Sequence, residues 1–362
     1  MSFSATDHAH MARALRLAEL GLYTTQPNPR VGCVIARGEQ VIGDGWHQRA
    51  GEPHAEVFAL RAAGERARGA TAYVTLEPCA HFGKTPPCAD ALIAAGIARV
   101  VVASEDPFPK VDGRGLEKLR ATGITVETGL MRDAARDLNR GFFSRIERKR
   151  PWLRVKLGMS LDGRTALADG QSKWITSHAA RADVQHWRAR SSAILTGSGT
   201  VLADDPRLNT RLGEDIEFKP PLRVVLDRAL RTPVGAHVLD GNVSTLIFHG
   251  EDASPSDDRF ERAELAAAPL HDGRLDLGAV LSALAERGIN ELQVEAGATL
   301  CGALFAAGYV DELLLYIAPV MLGDQARGLL NLPALTSIDA ARRLRVIDQR
   351  QIGADWRLLL RE

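Results

Sequence analysis

His54-Ala55-Glu56, Pro78-Cys79 and Cys88 restrict the possible folds of this chain more than any other residues. An imidazole and two thiols so spaced can share a metal only if the fold draws two helix starts and a strand end to one point. The surrounding segments read that way. A helix runs from about residue 55 to 66, Cys79 follows the strand TAYVTL (71 to 76), and Cys88 opens CADALIAAG, a helix that stops at Gly96. One imidazole and two thiolates leave a fourth position on zinc for water, which marks a catalytic rather than a structural site. Helix N-termini favour the thiolate that binds metal. Glu56 stands beside such a metal without being a ligand, placed to take a proton from water that zinc has acidified.

The rest of the chain agrees with a soluble α/β protein of two domains. Its 362 residues exceed one ordinary core. Formal net charge is +0, which argues against nucleic acid or an acidic membrane as partner. The segment MSFSATDHAHMARAL has no basic stretch followed by an apolar run, and no stretch approaches a membrane span, so a cytoplasmic protein is expected. The 4 cysteines are too few and scattered for a disulfide framework and remain free for metal.

Residues 7 to 22 read as an amphipathic helix with Asp7 as N-cap and Met11, Leu15, Ala18 and Leu22 on one face. VGCVIA and QVIGDGW form two strands around the Arg37-Gly38-Glu39 turn. The basic stretch Arg145 to Arg150 reads as a solvated linker between domains 1-146 and 151-362. After it come strands at WLRVKLGMSLDG, AILTG, PLRVVLD, TLIFHG, ELQVEAG and DELLLYIAPVML, with helices near 178 to 190 and 298 to 307. EDASPSDD (251 to 258) reads as an exposed loop.

The H-x-E and P-C elements match the signature of zinc-dependent nucleobase deaminases, with one departure: eight residues, AHFGKTPP, separate the two cysteines instead of two. Longer motifs narrow the match. TTQPNPRVGCVI, HQRAGEPHAEVFAL, AYVTLEPCAHFGKTPPCADALIAAGI and EDPFPKVDGRGLEKLRATGI resemble the deaminase half of the bifunctional riboflavin-biosynthesis deaminase/reductase family. KLGMSLDGRTA, QSKWITS, TGSGTVLADDPRLNTR and VEAGATLCGALFAAGYVDELLLYIAPVMLG resemble its reductase half. The likeness runs from about residue 8 to about 325, and in that family the long insertion between the cysteines is normal.

The resemblance implies a cytidine-deaminase-like α/β/α domain followed by a dihydrofolate-reductase-like α/β domain, with one zinc per chain and NADPH. It implies zinc-dependent hydrolytic deamination of 2,5-diamino-6-(5-phosphoribosylamino)pyrimidin-4-one, then reduction of the ribosyl chain to ribityl. His54, Cys79 and Cys88 become the metal ligands and Glu56 the proton carrier. Asn28, His47, His81 and Lys84 fall on the deaminase substrate, with Lys84 a candidate for its phosphate. In the reductase half the resemblance puts Gly158, Trp174, Thr200, Asp204 and the loop Gly297, Ala298, Thr299, Leu300, Cys301, Gly302 on the cofactor. It puts Ser172, Arg188, Leu208, Arg211 and Glu295 on the substrate. A small-molecule substrate and a homo-oligomer are expected, without nucleic acid or membrane.

Residue chemistry alone supports part of this. TGSGT lacks the third glycine of a dinucleotide fingerprint, because Leu202 stands there, though amides at Gly197 to Thr200 and Gly297 to Cys301 could still cradle phosphates. Arg188 and Arg211 are suitable forks for a phosphorylated sugar. Lys156 and Asp204 remain alternative proton relays or plain salt-bridge partners. Two other readings stay open: a nucleoside or tRNA deaminase with a non-catalytic C-terminal module, and a binding module around a structural zinc. The neutral charge and reductase-type motifs weigh against the first, and the three-ligand set beside a free Glu56 against the second.

Overall fold

In the computed structural model, which describes residues 3–80, 87–109 and 111–362, the chain divides into two units, Met1–Lys149 and Arg150–Glu362. The first contains α1 (Ala5–Glu19), β1 (Gly32–Arg37), β2 (Gln40–Trp46), α2 (Ala55–Ala63), β3 (Thr71–Val74), α3 (Cys88–Ala94), β4 (Arg99–Val102), α4 (Arg114–Ala121), β5 (Thr125–Thr128), α5 (Arg132–Leu138) and α6 (Arg140–Arg148). Its sheet runs β2-β1-β3-β4-β5, antiparallel up to β3 and parallel beyond it. Alternation along β1 decides the layers. Cys33 and Ile35 pack with Ala55, Ala59, Leu92 and Leu119 from α2, α3 and α4, while Val34 and Ala36 pack with Met11, Ala14 and Leu15 from α1. Both faces of the sheet are covered, giving an α/β/α sandwich.

Two local expectations need correction. The N-cap of α1 is Ser4, and Asp7 is the third residue of a capping box, returning a bond to the Ser4 amide at 2.9 Å. Asp7 also accepts from Tyr73 Oη at 2.8 Å and Arg99 at 2.6 Å, pinning α1 to the sheet. The basic stretch from Arg145 is not an open linker, because α6 continues to Arg148 with Phe142 and Phe143 buried. Its arginines lie over apolar surface, Arg145 covering the Phe142 ring at 5.7 Å, so their charge does not mark disorder.

The second unit contains β6 (Trp152–Ser160), β7 (Arg164–Ala166), α7 (His178–Ala189), β8 (Ala193–Gly197), α8 (Ser198–Asp204), β9 (Leu222–Leu226), β10 (Thr245–Gly250) and β11 (Glu264–Ala268). There follow the small ribbon β12 (Leu270–His271) and β13 (Arg274–Leu275), α9 (Leu277–Glu286), β14 (Glu291–Val294), α10 (Ala298–Ala306), β15 (Glu312–Ala318), β16 (Arg327–Gly328), β17 (Arg345–Ile352) and β18 (Asp355–Arg361). The large sheet runs β11-β10-β9-β8-β14-β6-β15-β18-β17. It is parallel from β11 to β15, and the β17–β18 hairpin adds two antiparallel strands. After β6 the chain goes to β8 and outward to β11, then returns to insert β14 between β8 and β6. The carboxyl ends of β6, β8 and β14 therefore meet where strand order reverses, the usual ligand crevice of an open α/β sheet.

A buried ion cluster ties these central strands. Arg154 on β6 is fully buried and binds Glu312 on β15 at 2.5 Å and Glu291 on β14 at 3.1 Å, under the Trp187 ring at 4.6 Å. Removing the cation leaves Glu291 with Arg190, at 3.3 Å, and Glu312 with Arg361, at 3.0 Å, and opens two buried charged bonds, each worth about 1.5–3 kcal/mol. Arg154→Met, which keeps the bulk, is expected to lower the unfolding temperature of the second unit by several degrees in calorimetry. An unchanged transition would mean the cluster is not a support of the sheet.

Candidate active sites

In the first unit, β2 has to lie close against α2 for the metal residues to converge. A Cβ at Gly43 would sit 2.4 Å from Ala59 O and one at Gly45 2.4 Å from Phe58 Cβ, so glycine at both positions permits the contact. His54 is the N-cap of α2, Glu56 lies in its first turn, Cys79 follows β3 and Cys88 opens α3. Their donor atoms lie within 4.8 Å of one another. His54 Nδ1 is 3.1 Å from Cys88 Sγ and 3.6 Å from Cys79 Sγ, and the Cys88 amide donates to Cys79 Sγ at 3.3 Å. Tetrahedral zinc takes nitrogen at about 2.0–2.1 Å and sulfur at about 2.3 Å, which sets neighbouring ligands roughly 3.5 Å apart. The three residues fit a zinc ion.

The charges around this point are tuned by contact and burial. A hydrogen bond from the Cys88 thiol pulls Cys79 down to about 4, with burial opposing and His54 helping. Cys88 is pushed up by the same bond, a competition that a cation resolves by taking both sulfurs as thiolates. Glu56 is 2% exposed, and burial raises its carboxyl above the ordinary glutamate value, with His54 opposing. Its Oε2 has no hydrogen-bond partner among the described residues.

Asn28 and His47 stand beside the ligands. The His47 ring meets the His54 ring edge-on at 5.4 Å, and Asn28 Nδ2 lies 3.1 Å from His47 Nε2. An amide nitrogen only donates, so His47 Nε2 accepts, and Nδ1–H donates to Pro53 O at 3.1 Å. Burial lowers the His47 pKa, which keeps this neutral tautomer near pH 7. His81 and Lys84 lie outside the described residues.

Two carboxylates were missed by the sequence reading. Asp106, buried after β4, is pushed up to about 7 by burial, with the Phe108 amide opposing and the charges of Glu77 and Cys79 adding. Glu77 is buried directly before Pro78-Cys79 and accepts four backbone N–H bonds. Their signal was an acidic residue placed directly before a proline, in TLEPC and in EDPFPK, amid apolar strand ends.

In the second unit, residues from the carboxyl ends of β6, β8 and β14 gather. Thr196 Oγ1 donates to Glu295 O, the Glu295 amide donates to Leu195 O, and Leu300 Cδ2 lies 3.4 Å from a Cβ placed at Gly197. The turns into α8 and α10 are thus side by side. A Cβ at Gly199 or Gly297 would meet nothing within 4 Å, and Thr200 is half-buried nearby. Gly158 on β6 lies beside Thr176, and Trp174 is 69% exposed with the Arg181 guanidinium over its ring at 4.2 Å. Open glycines at the starts of α8 and α10, with an exposed aromatic close in sequence to α7, fit a dinucleotide's phosphates and a ring.

Several expected contacts change character. Residues 298 to 302 are the first turn of α10, not a loop. Cys301 is buried with its thiol donating to Ala296 O, and the Cβ direction of Gly302 faces Asn331, so the Cys301 side chain and that direction of Gly302 meet protein; Gly297, Ala298, Thr299 and Leu300 are less buried. Leu208 is 2% exposed and packs with Ile194, Val201 and Val225, which leaves only its backbone for a ligand. Arg188 is not a free fork, because it donates to both oxygens of Glu295 at 2.7 and 2.8 Å and to Asn209 O at 2.7 Å. Burial works against charge on Glu295, yet Arg188 and Lys156 hold it at about 2. Burial pushes the Lys156 ammonium down, with Glu295 opposing and Arg188 adding. Asp204 is exposed and pairs only loosely with Lys173 at 4.0 Å. Ser172 is half-buried; the Arg211 side chain is exposed, and its guanidinium has no partner among the described residues.

Comparison with known proteins gives one answer for both halves. Residues 4–104 match the cytidine and deoxycytidylate deaminase zinc-binding region, and residues 151–358 the RibD C-terminal domain. The chain is 51% identical to riboflavin biosynthesis protein RibD of Escherichia coli over 96% of its length and 97% of that protein's. The Haemophilus influenzae protein of the same name is 46% identical, covering 99% and 98%. Among solved structures, Acinetobacter baumannii RibD superposes with TM-score 0.91 at 44% identity over 98% of each chain. A diaminohydroxyphosphoribosylaminopyrimidine deaminase/5-amino-6-(5-phosphoribosylamino)uracil reductase from Thermotoga maritima gives 0.85 at 33% identity, again over 98% of each.

The two glycines of the α10 turn separate packing from ligand contact. A Cβ at Gly302 would lie 2.2 Å from Asn331 O, whereas one at Gly297 enters open space. Gly302→Ala is expected to destabilise the unit by about 1–3 kcal/mol in denaturant unfolding, the scale of overpacking. Gly297→Ala, an N-cap change without a clash, is expected to cost less, at most about 1 kcal/mol, and to raise KM for NADPH. Equal stability losses for both would remove the distinction.

Proposed function

The chain belongs to the RibD family, a bifunctional deaminase and reductase of riboflavin biosynthesis, and from that membership we propose which residues carry each reaction. The family uses zinc in its deaminase half and NADPH in its reductase half. The deaminase substrate is 2,5-diamino-6-(5-phosphoribosylamino)pyrimidin-4-one, and the reductase reduces the phosphoribosylamino group of the resulting uracil to the ribityl form. No helix among the described residues is long and apolar enough to cross a membrane.

His54 Nδ1, Cys79 Sγ and Cys88 Sγ hold one zinc per chain, a reading supported by their mutual distances. When bound, zinc acidifies a water and presents it for attack on the pyrimidine carbon that carries the amine. Glu56 Oε2, buried and without a partner among the described residues, takes the proton from the water. It gives that proton to the ring nitrogen, then carries the remaining hydroxyl proton of the adduct to the amine, which leaves as ammonia while the carbonyl forms. A raised pKa suits both halves of that task, because the carboxyl must give back what it accepts. Asn28, held by His47, keeps its carbonyl for a substrate N–H.

In the reductase half, NADPH supplies the hydride. Gly158, Trp174, Thr200 and the turn from Gly297 to Leu300 bind it, supported by the open glycines and exposed ring. Lys156 beside Glu295 is a better proton relay than exposed Asp204. Arg188 aims Glu295 and, through Asn209 O, steadies the segment bearing Arg211. The open Arg211 guanidinium takes the substrate phosphate.

Glu56→Gln tests the carrying observation, a buried carboxylate next to the ligands whose Oε2 has no hydrogen-bond partner among the described residues. It is expected to retain zinc, keep reductase activity and lose about 10²–10⁴-fold in deamination. Turnover near wild type would remove Glu56 from the mechanism. A strong chelator is expected to stop deamination while reduction of added uracil intermediate continues; loss of both without unfolding would tie the metal to the reductase.

Arg211→Ala is expected to lower kcat/KM for the uracil intermediate by about 10- to 100-fold, with Arg211→Lys recovering part of it. KM for NADPH should stay within about twofold, since the phosphate contact is on the substrate. If only the NADPH value rises while use of NADH is unchanged, Arg211 belongs to the cofactor's 2′-phosphate.

A further inference from the structure

Glu77 is a buried carboxylate that the deamination chemistry does not use. It lies three residues beyond β3, its own amide donating to Ser104 O at 3.0 Å. Oε2 accepts from the amides of Asp106 at 3.3 Å and Gly113 at 3.1 Å, and Oε1 from those of Gly115 at 3.0 Å and Leu116 at 3.4 Å. Three of these donors belong to the N-terminal turn of α4 and its cap, whose amides have no partner within the helix. The carboxylate therefore caps α4 from outside, where the helix dipole also favours negative charge. Gly115 completes the contact, since a Cβ there would fall 1.9 Å from Pro78 O. Glu77 and Pro78 are thus held to α4 on both sides of their shared peptide, and the next residue is Cys79.

We propose that Glu77 is the positioning residue of the metal centre: it clamps the Glu77-Pro78-Cys79 turn to the start of α4 and so sets where Cys79 Sγ meets His54 and Cys88. The turn leaves β3 without continuing as a helix, so its direction needs an outside anchor. Downstream, the Cys79 carbonyl accepts from the Ala89 amide at 3.1 Å and Cys79 Sγ from the Cys88 amide at 3.3 Å. The turn is consequently fixed to α4 before Cys79 and to α3 after it. Glutamine cannot replace the carboxylate, because its NH₂ would face two backbone donors. The proposal rests on the assignment of His54, Cys79 and Cys88 as zinc ligands.

The test measures zinc dissociation from the full-length, zinc-loaded protein into a chromogenic chelator, with reductase activity in the same chain as internal control. Glu77→Gln is expected to speed zinc loss about 10- to 100-fold, the scale of removing groups that orient metal ligands, with deaminase kcat falling and reductase kcat unchanged. Gly115→Ala, with Glu77 intact, is expected to speed zinc loss as well, because it displaces Pro78. Leu119→Ala, in the buried face of α4, controls for loss of stability. At matched loss of unfolding temperature it is expected to release zinc more slowly than Glu77→Gln. Wild-type zinc dissociation in Glu77→Gln, or equal acceleration in Leu119→Ala, overturns the positioning role. Wild-type protein that holds no zinc would instead overturn the ligand assignment.

Discussion

Two sulfurs and an imidazole nitrogen within 4.8 Å of one another are the constraint on which the first unit depends. Each comes from a different element, and the sandwich is what brings those elements together. Glycines let β2 press on α2, so that His54 and Glu56 start their helix at the end of β3. Glu77 ties the turn after β3 to α4, and Cys88 sits where α3 begins. Burial then does chemical work on the same residues. It raises the Glu56 carboxyl above the ordinary glutamate value, and it keeps His47 neutral beside Asn28.

The second unit relies on a different device. Its central strands are cross-tied by buried Arg154, and one level nearer the crevice Arg188 forks onto Glu295. That pair consumes a cation which the sequence offers as a phosphate binder. What it leaves is a preorganised Glu295, Lys156 next to it, and an open Arg211 on the segment that Arg188 steadies. A polar site arranged this way costs little reorganisation when substrate arrives.

The convergence of His54, Cys79 and Cys88 was legible because their spacing has few other physical explanations, and the core strands because apolar runs of that length have little choice. Other features depend on partners remote in sequence. Nothing near Arg188 reveals that Glu295, over a hundred residues away, closes its fork. Leu208 and Gly302 lie within recognisable motifs, but whether a side faces ligand or core depends on packing against Ile194 or Asn331. The β17 strand was hidden for a different reason. It is an exposed edge rich in charge, and its pairing with β18 is not written in an apolar pattern. The arginines at the end of α6 misled in the same way, since long cationic side chains cover buried phenylalanines.

The central claim is that one chain deaminates first, with zinc and without NADPH, and then reduces the deaminated product. Supplying the diaminopyrimidine phosphoribosyl substrate with and without NADPH, and identifying products by mass, tests it directly. The account predicts ammonia and the uracil intermediate without NADPH, and the ribityl product with one NADPH consumed per ammonia when it is present. Ammonia released only in the presence of NADPH, or NADPH consumed by the diamino compound before any ammonia appears, would contradict it.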